Sequence, residues 1–223
     1  MAVSGWHGLS TACTLLLLCS GCGMAKYRLS DGQYRTKEGV VDLQVVNDTV
    51  TIMGAEAQGR TTTYPPLVAG PVTRTVVLDQ TSFDVDLLTI LLKYRPAQGM
   101  SQPQLQSQLG GGLFIGRRVD RHILCYPQSP FPRAERRMRH YGLSLGGIIG
   151  LGATPVDPWV TDGAVNVEYD GAVFTYGLSV IAAVDRFTLG LALGWDMLLN
   201  DDAEHWVYQR KPWLGPVLGL NLN

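Results

Sequence analysis

The chain has no run of eighteen or more apolar residues, which excludes an ordinary membrane-spanning helix. It is also poor in charge. Asp, Glu, Lys and Arg make up 17 % of its 223 residues, against roughly a quarter in typical soluble domains. The 18 Lys and Arg nearly cancel the 19 Asp and Glu, leaving −1 at pH 7, so the balance offers nothing to attract nucleic acid. Cysteine is scarce: of Cys13, Cys19, Cys22 and Cys125 only Cys125 lies beyond the first 22 residues, so no disulfide framework is implied. No Cys/His cluster has metal-ligand spacing, and no phosphate loop or dinucleotide fingerprint is present, so neither a metal nor a cofactor is expected. What is plentiful is glycine, 26 residues, in a chain whose mean hydropathy is slightly positive at +0.08. Apolar character is therefore spread over many short segments, a distribution that suits a β-barrel.

The first 21 residues have the form of a secretory leader. Leu15 to Leu18 form a short apolar core, too short to cross a bilayer. Ser20 and Gly21 then precede Cys22, the pattern of a lipobox, in which small residues fit the processing peptidase and the cysteine sulfur accepts a diacylglycerol. Cys19 stands where leucine is usual, and the leader carries His7 but no Lys or Arg. On this reading Cys13 and Cys19 depart with the leader, Cys22 is lipidated, and Cys125, beside Ile123 and Leu124, is a small hydrophobe.

From Lys26 to about Gln80 the chain is polar and rich in turns. Val41 to Val46 and Thr49 to Met53 flank Asn47-Asp48 and predict a hairpin. Residues 54–72 have the composition of a linker, and Thr73 to Leu78 form one further short strand. The expected domains are a leader (1–21), a periplasmic hairpin segment with linker (22–80) and a barrel (81–223).

From Phe83 onward, long segments alternate large apolar residues with small or polar ones. In one of them Leu189, Leu191, Leu193, Trp195 and Met197 oppose Thr188, Gly190, Ala192, Gly194 and Asp196. Side chains on a strand alternate between faces, so the pattern separates two environments. A water-soluble barrel would put bulk inside and charge outside. Here the second face has too few charges for a solvated surface and too little volume for a core. Apolar-out and small-polar-in is the transmembrane pattern. Segments at 83–95, 109–125, 138–153, 165–184, 187–199 and 212–222 reach the ~9–11 residues that a tilted strand needs to cross hydrocarbon. They predict an all-β fold, an antiparallel transmembrane β-barrel of about eight strands with six visible. A soluble lipocalin-like lipoprotein that binds an apolar ligand is the competing reading. The pattern also predicts that Leu191→Arg disturbs assembly far more than Gly190→Ser.

Asp185-Arg186 form the tightest connection and set the topology. With that turn in the periplasm, the segments 96–108, 153–170 and 199–211 become external loops, and the Pro- and Arg-rich 127–138 is periplasmic. Tyr126, Tyr141 and Phe187 then fall at one interface, and Tyr94, Trp159, Trp195, Trp206 and Trp213 at the other.

Several stretches resemble a family of uncharacterised outer-membrane β-barrel (lipo)proteins from Bacteroidota-type bacteria. These are Phe83-Asp84-Val85-Asp86-Leu87-Leu88-Thr89-Ile90 with Lys93-Tyr94-Arg95-Pro96, Gly116-Arg117-Arg118-Val119-Asp120, Pro158-Trp159-Val160-Thr161, Glu168-Tyr169-Asp170-Gly171, and the ending Lys211-Pro212-Trp213-Leu214-Gly215 to Leu220-Asn221-Leu222-Asn223. The likeness covers most of 83–223. It implies an outer-membrane location, and partners in outer-membrane lipids and in the barrel-assembly and lipoprotein-processing machinery. It assigns no catalytic residue.

Lys93, Arg95, Arg118, Asp120 and Asp196 project to the small-residue face. They form either a polar lumen that gates solutes or, preferred here, a salt-bridged plug that closes a narrow interior. Glu168, Asp170, Asp201, Asp202 and Glu204 lie in the expected external loops, either as solvated charge or as ligands for a cation shared with lipopolysaccharide. His122, His140 and His205 are scattered, with Ser144 and Ser179 facing the lumen, and spacing alone does not assemble them into a hydrolase site. The expected function is structural or narrow-pore, without catalysis, with a lipid-modifying barrel enzyme as the outlying alternative. Cys22 is predicted to be the mature N-terminus. Mass spectrometry of the membrane-extracted protein should show an acylated Cys22 peptide, and a free N-terminus elsewhere would refute lipidation.

Overall fold

A computed structural model describes residues 29–54, 61–70, 74–99, 101–107, 110–128, 131–184 and 187–221. The leader, Cys22 and the Asp185-Arg186 connection lie outside the described residues. Among those described there is no α-helix. The strands are β1 (Gly32–Thr36), β2 (Gly39–Val46), β3 (Thr49–Gly54), β4 (Thr61–Tyr64), β5 (Leu67–Ala69), β6 (Thr75–Ile90), β7 (Lys93–Arg95), β8 (Gln104–Gln106), β9 (Gly110–Cys125), β10 (Arg133–Glu135), β11 (Arg137–Val156), β12 (Tyr169–Val184), β13 (Phe187–Leu198) and β14 (Pro212–Asn221). One 3-10 turn covers Asp201–Glu204.

All pairings are antiparallel. The long strands follow the order β6-β9-β11-β12-β13-β14, and β14 returns to β6 through Val217↔Ile90 to Asn221↔Asp86, so six strands close into a ring. The ring therefore has six strands, where the sequence predicts about eight. The missing pair does not come from 41–53, which stays outside the ring, or from the expected strand at 73–79, whose residues from Thr75 onward belong to β6. That strand runs unbroken from Thr75 to Ile90, because every residue from Thr75 onward pairs with β9. The polar stretch Asp79-Gln80-Thr81-Ser82 that divides it in the sequence costs no backbone pairing. At Leu91-Leu92 the ladder breaks, the Leu91 amide bonds the Pro216 carbonyl at 3.2 Å, and β7 resumes beside β14.

The N-terminal strands form a meander, β4-β3-β2-β1, joined to β6 at Arg35↔Asp79. Asn47 and Asp48 have φ of 49° and 61°, the left-handed pair that a two-residue hairpin turn requires. Residues 54–72 are not a plain linker. Thr61–Tyr64 pairs with β3, and Leu67–Ala69 pairs with β10 inside the supposed 127–138 turn. Both are short runs of β-formers hidden between Gly and Pro. Leu29, Tyr34, Val41, Leu43, Val50 and Ile52 pack on Leu78 and Leu124, so the meander caps one end of the ring. At the opposite end the segments 96–99, 101–107, 157–168 and 199–211 converge, with Trp206 and Tyr208 packed on Val156, Val160, Val173 and Leu198.

The ring is inverted relative to a water-soluble protein. Leu143, Leu145, Leu151, Leu178, Leu189 and Leu191 are each more than half exposed on its outer face, whereas Asp84, Arg95 and Asp196 are fully buried within. The interior is not uniformly small. Leu88, Ile90, Phe114, Ile148, Ile181, Ala192, Trp213 and Val217 form an apolar layer across it. Trp206 and Trp213 are buried and do not join an outer belt. Trp213 points inward over Gly194, where a Cβ would lie 2.3 Å from its ring.

Glycines make this filling possible. A Cβ on Gly146 would come within 2.3 Å of the Ile115 carbonyl oxygen, and one on Gly190 within 2.6 Å of the Val180 carbonyl oxygen. Gly190 faces inward, as the alternation predicts, but neighbouring backbone leaves no space there for a serine side chain. Gly146→Ala and Gly190→Ser should each destabilise the fold by about 1–3 kcal/mol. Outward-facing Gly147, whose added Cβ would meet only the Gly177 carbonyl oxygen at 3.8 Å, should accept alanine with little change in urea midpoint.

Candidate functional site

The inward charges fall into two clusters, one on each side of the apolar layer. Alternation places them: Asp84 and Asp86 on β6, Arg118 and Asp120 on β9, and Asp196 on β13 all occupy inward positions. The five charged residues expected to form one network do not meet as a group. Lys93, Arg95 and Asp196 gather at the loop end, and Arg118 with Asp120 at the meander end.

At the loop end the Asp196 carboxylate is the hub. Lys93 Nζ donates to both of its oxygens at 3.0 and 2.8 Å, and Arg95 Nη2 donates to Oδ2. Thr175 Oγ1 at 2.6 Å and Trp213 Nε1 at 3.0 Å donate to Oδ1. Lys93 also bonds Thr175 and lies 4.8 Å from the Trp213 ring centroid. The Arg95 guanidinium lies beside the rings of Trp206 and Tyr208, 5.0 and 5.3 Å from their centroids, while its Nε donates to Gln106. Charge removed from water at this depth is tolerable only when it is paired and hydrogen-bonded. Here one carboxylate serves two cations, and aromatic faces supply further stabilisation.

At the meander end Arg118 Nε donates to Asp120 Oδ1 at 2.8 Å and its Nη1 lies 3.9 Å from Asp84 Oδ1. Ser144 donates to Asp84. His140 Nε2 stands 2.6 Å from Asp120 Oδ1; a carboxylate only accepts, so that ring nitrogen carries the proton. His122 stacks on His140 at 4.9 Å and meets the edge of Tyr34 from the meander at 5.9 Å. Sequence reasoning left Asp84 and Asp86 out of the charged set and treated His122 and His140 as scattered. Position parity along β6 and β9 could have placed Asp84, Asp86 and His122 on the inward face, whereas the His122↔His140 pairing is decided by the register of β9 and β11.

Gly142-Leu143-Ser144-Leu145-Gly146 matches the string that surrounds the nucleophile of many hydrolases. That string works on a sharp strand-to-helix turn, whereas Ser144 lies mid-strand in β11, buried inside the ring. Ser144 bonds Asp84 and His140 bonds Asp120, so the two side chains are committed to different carboxylates. Among the described residues no group of three or more His, Cys, Asp or Glu side chains could hold a metal.

The acidic loop residues do not converge on a site. Tyr169 donates to Asp202 at 2.6 Å, and that bond pushes its phenol up to about 12. The bond ties the start of β12 to the 3-10 turn. Cys125 is a free, half-buried thiol, and His205 is exposed in the 199–211 segment.

These features define an all-β protein whose closed six-stranded ring buries two charge clusters and turns its apolar face outward. No protein-family model, curated protein or solved structure matches the chain.

Removing the hub should be costly. Asp196→Asn leaves two buried cations without their counter-charge, and should destabilise the fold by about 3–5 kcal/mol. Asp79→Asn breaks only the exposed pair with Arg121 and should change little. Urea unfolding of both variants beside the parent measures the difference.

Proposed function

We propose that the protein is an outer-membrane β-barrel lipoprotein of structural type, held by a lipid on Cys22 and sealed by its own interior. The observation that carries this reading is the inversion of the ring. Leu145 is 63 % exposed and Leu191 58 %, while Asp196 on the same sheet is 0 % exposed. Water would penalise that arrangement, and hydrocarbon rewards it. The outward apolar positions on β11 run from Leu143 to Ala153, flanked by Tyr141 and Arg139 on one side and Pro155 on the other. That length suits a tilted strand crossing a bilayer.

The meander lies at the end from which the lipidated N-terminus enters, so it belongs on the periplasmic side with the lipoprotein-processing machinery. The loop end, carrying Glu168, Asp170, Asp201, Asp202 and Glu204, faces outward. Six strands is fewer than the eight at which known single-chain barrels start, and the interior is correspondingly solid. A narrow-pore role is disfavoured because the apolar layer lies across any path between the two charge clusters. The lipocalin-like reading loses ground for the same reason: large side chains occupy the space a ligand would need.

Reconstitution into phosphatidylcholine vesicles tests the proposal. The wild type should insert, show heat-modifiable gel mobility and leave an imposed ion gradient intact. Leu191→Arg should cost roughly 2–4 kcal/mol of folding into the bilayer. A protein that stays soluble without detergent would overturn the membrane assignment, and large stable channels would overturn the sealed interior.

A further inference from the structure

The outer wall of the ring carries a groove of about 400 Å³, lined by Leu113, Ile115, Gly147, Ile149, Tyr176 and Trp195. Its floor is Gly147. Unlike inward Gly146, this glycine is not demanded by close backbone approach, since a Cβ there would make only an ordinary contact at 3.8 Å. The groove is thus open by choice of residue. On its far side the rings of Phe174, Tyr176 and Trp195 stack in succession at 6.1 and 5.9 Å.

Directly below, the register of β9 and β11 sets a patch of positive charge. Ile115 faces Gly147 and, one outward step further, Arg117 faces Leu145. Beyond Val119 come Arg121, then Arg139 and Arg137 on β11, all exposed. On the outward positions of β6, β9 and β11 below the groove the sole acid is Asp79, which Arg121 binds at 2.7 and 3.0 Å. Arg117, Arg137 and Arg139 make no ion pair among the described residues. Arg117 therefore stands inside the apolar band with one outward step, about 7 Å of strand, between it and the groove. A guanidinium so placed reaches along the wall toward the headgroup level.

The geometry points to a binding site for an anionic glycerophospholipid of the adjacent leaflet. Its phosphate is held by Arg117, the unpaired arginine nearest the groove, and one acyl chain lies in the Gly147 groove. The proposal rests on the membrane-spanning reading. Charge complementarity selects the headgroup, because an unpaired arginine beside hydrocarbon needs an anion that is itself anchored there. The groove points from the arginines toward the middle of the apolar band, the direction an acyl chain takes from its phosphate.

Trp195 lines the groove and reports on it. The protein is reconstituted into phosphatidylcholine vesicles containing a small share of phosphatidylglycerol or phosphatidylcholine with brominated acyl chains, and quenching of tryptophan fluorescence is compared. Brominated phosphatidylglycerol should quench more strongly, and Trp195→Phe should abolish the difference. Arg117→Gln should lower the preference about fivefold, as expected for one arginine near a charged membrane surface. Gly147→Leu should reduce quenching by both lipids, by filling the groove. If the wild type inserts but is quenched equally by both lipids, or if Arg117→Gln keeps the full preference, the lipid site is refuted while the membrane reading stands. Failure of the wild type to insert into either vesicle refutes the membrane reading and the site with it.

Discussion

A ring of only six strands encloses very little space, and that limit governs nearly everything else in the molecule. Backbones cross the interior so closely that inward positions such as Gly146 and Gly190 have no room for a Cβ. Each large inward side chain needs an empty place opposite, as Trp213 finds over Gly194. Bulk that cannot go inward goes outward, and the outer wall becomes leucine-rich. The apolar exterior and the glycine-rich interior are thus two consequences of one narrow circumference.

The same narrowness explains how the buried charges are arranged. The buried Asp196 carboxylate is satisfied by protein, with two cations, a hydroxyl and an indole on its two oxygens and the Arg95 guanidinium beside two aromatic rings. The second cluster, with Arg118 between Asp84 and Asp120, uses a serine and a histidine for the same purpose. The apolar layer separates the two clusters, and satellite cores close both ends of the ring. Charge, apolar layer and charge are stacked along the axis as successive seals. A polar interior of this kind locks strand register, because shifting one strand by a single residue would carry Asp196 to the outer wall and Leu193 or Trp195 inward.

The outer surface is polarised as well. Exposed arginines collect on β9 and β11 near the meander, and carboxylates collect on the connections at the opposite end. In the proposed membrane setting this sets the orientation: the arginine wall meets leaflet phosphates, and the acidic loops stand away from them. The Gly147 groove lies where the arginine wall passes into the apolar band.

The sequence alone determined the all-β class, the Asn47-Asp48 hairpin and the positions of the long strands, because alternation of large and small residues is written locally and needs no partner to be read. It also placed Lys93, Arg95, Arg118, Asp120 and Asp196 on the inward face, by parity along each strand. It left open which strands close the ring, how many there are, and which inward groups meet. Those depend on pairing between residues as distant as Lys93 and Asp196, and on register, which no local pattern encodes. It mistook β4, β5 and β10 for linker and turn, since three- or four-residue strands exist only by virtue of their partners. It put Trp206 and Trp213 in an outer belt, because an aromatic residue near a strand end looks the same whether it turns out or in. Only the closed ring, by leaving a gap over Gly194 and an acceptor oxygen of Asp196 beside it, decided that Trp213 turns inward.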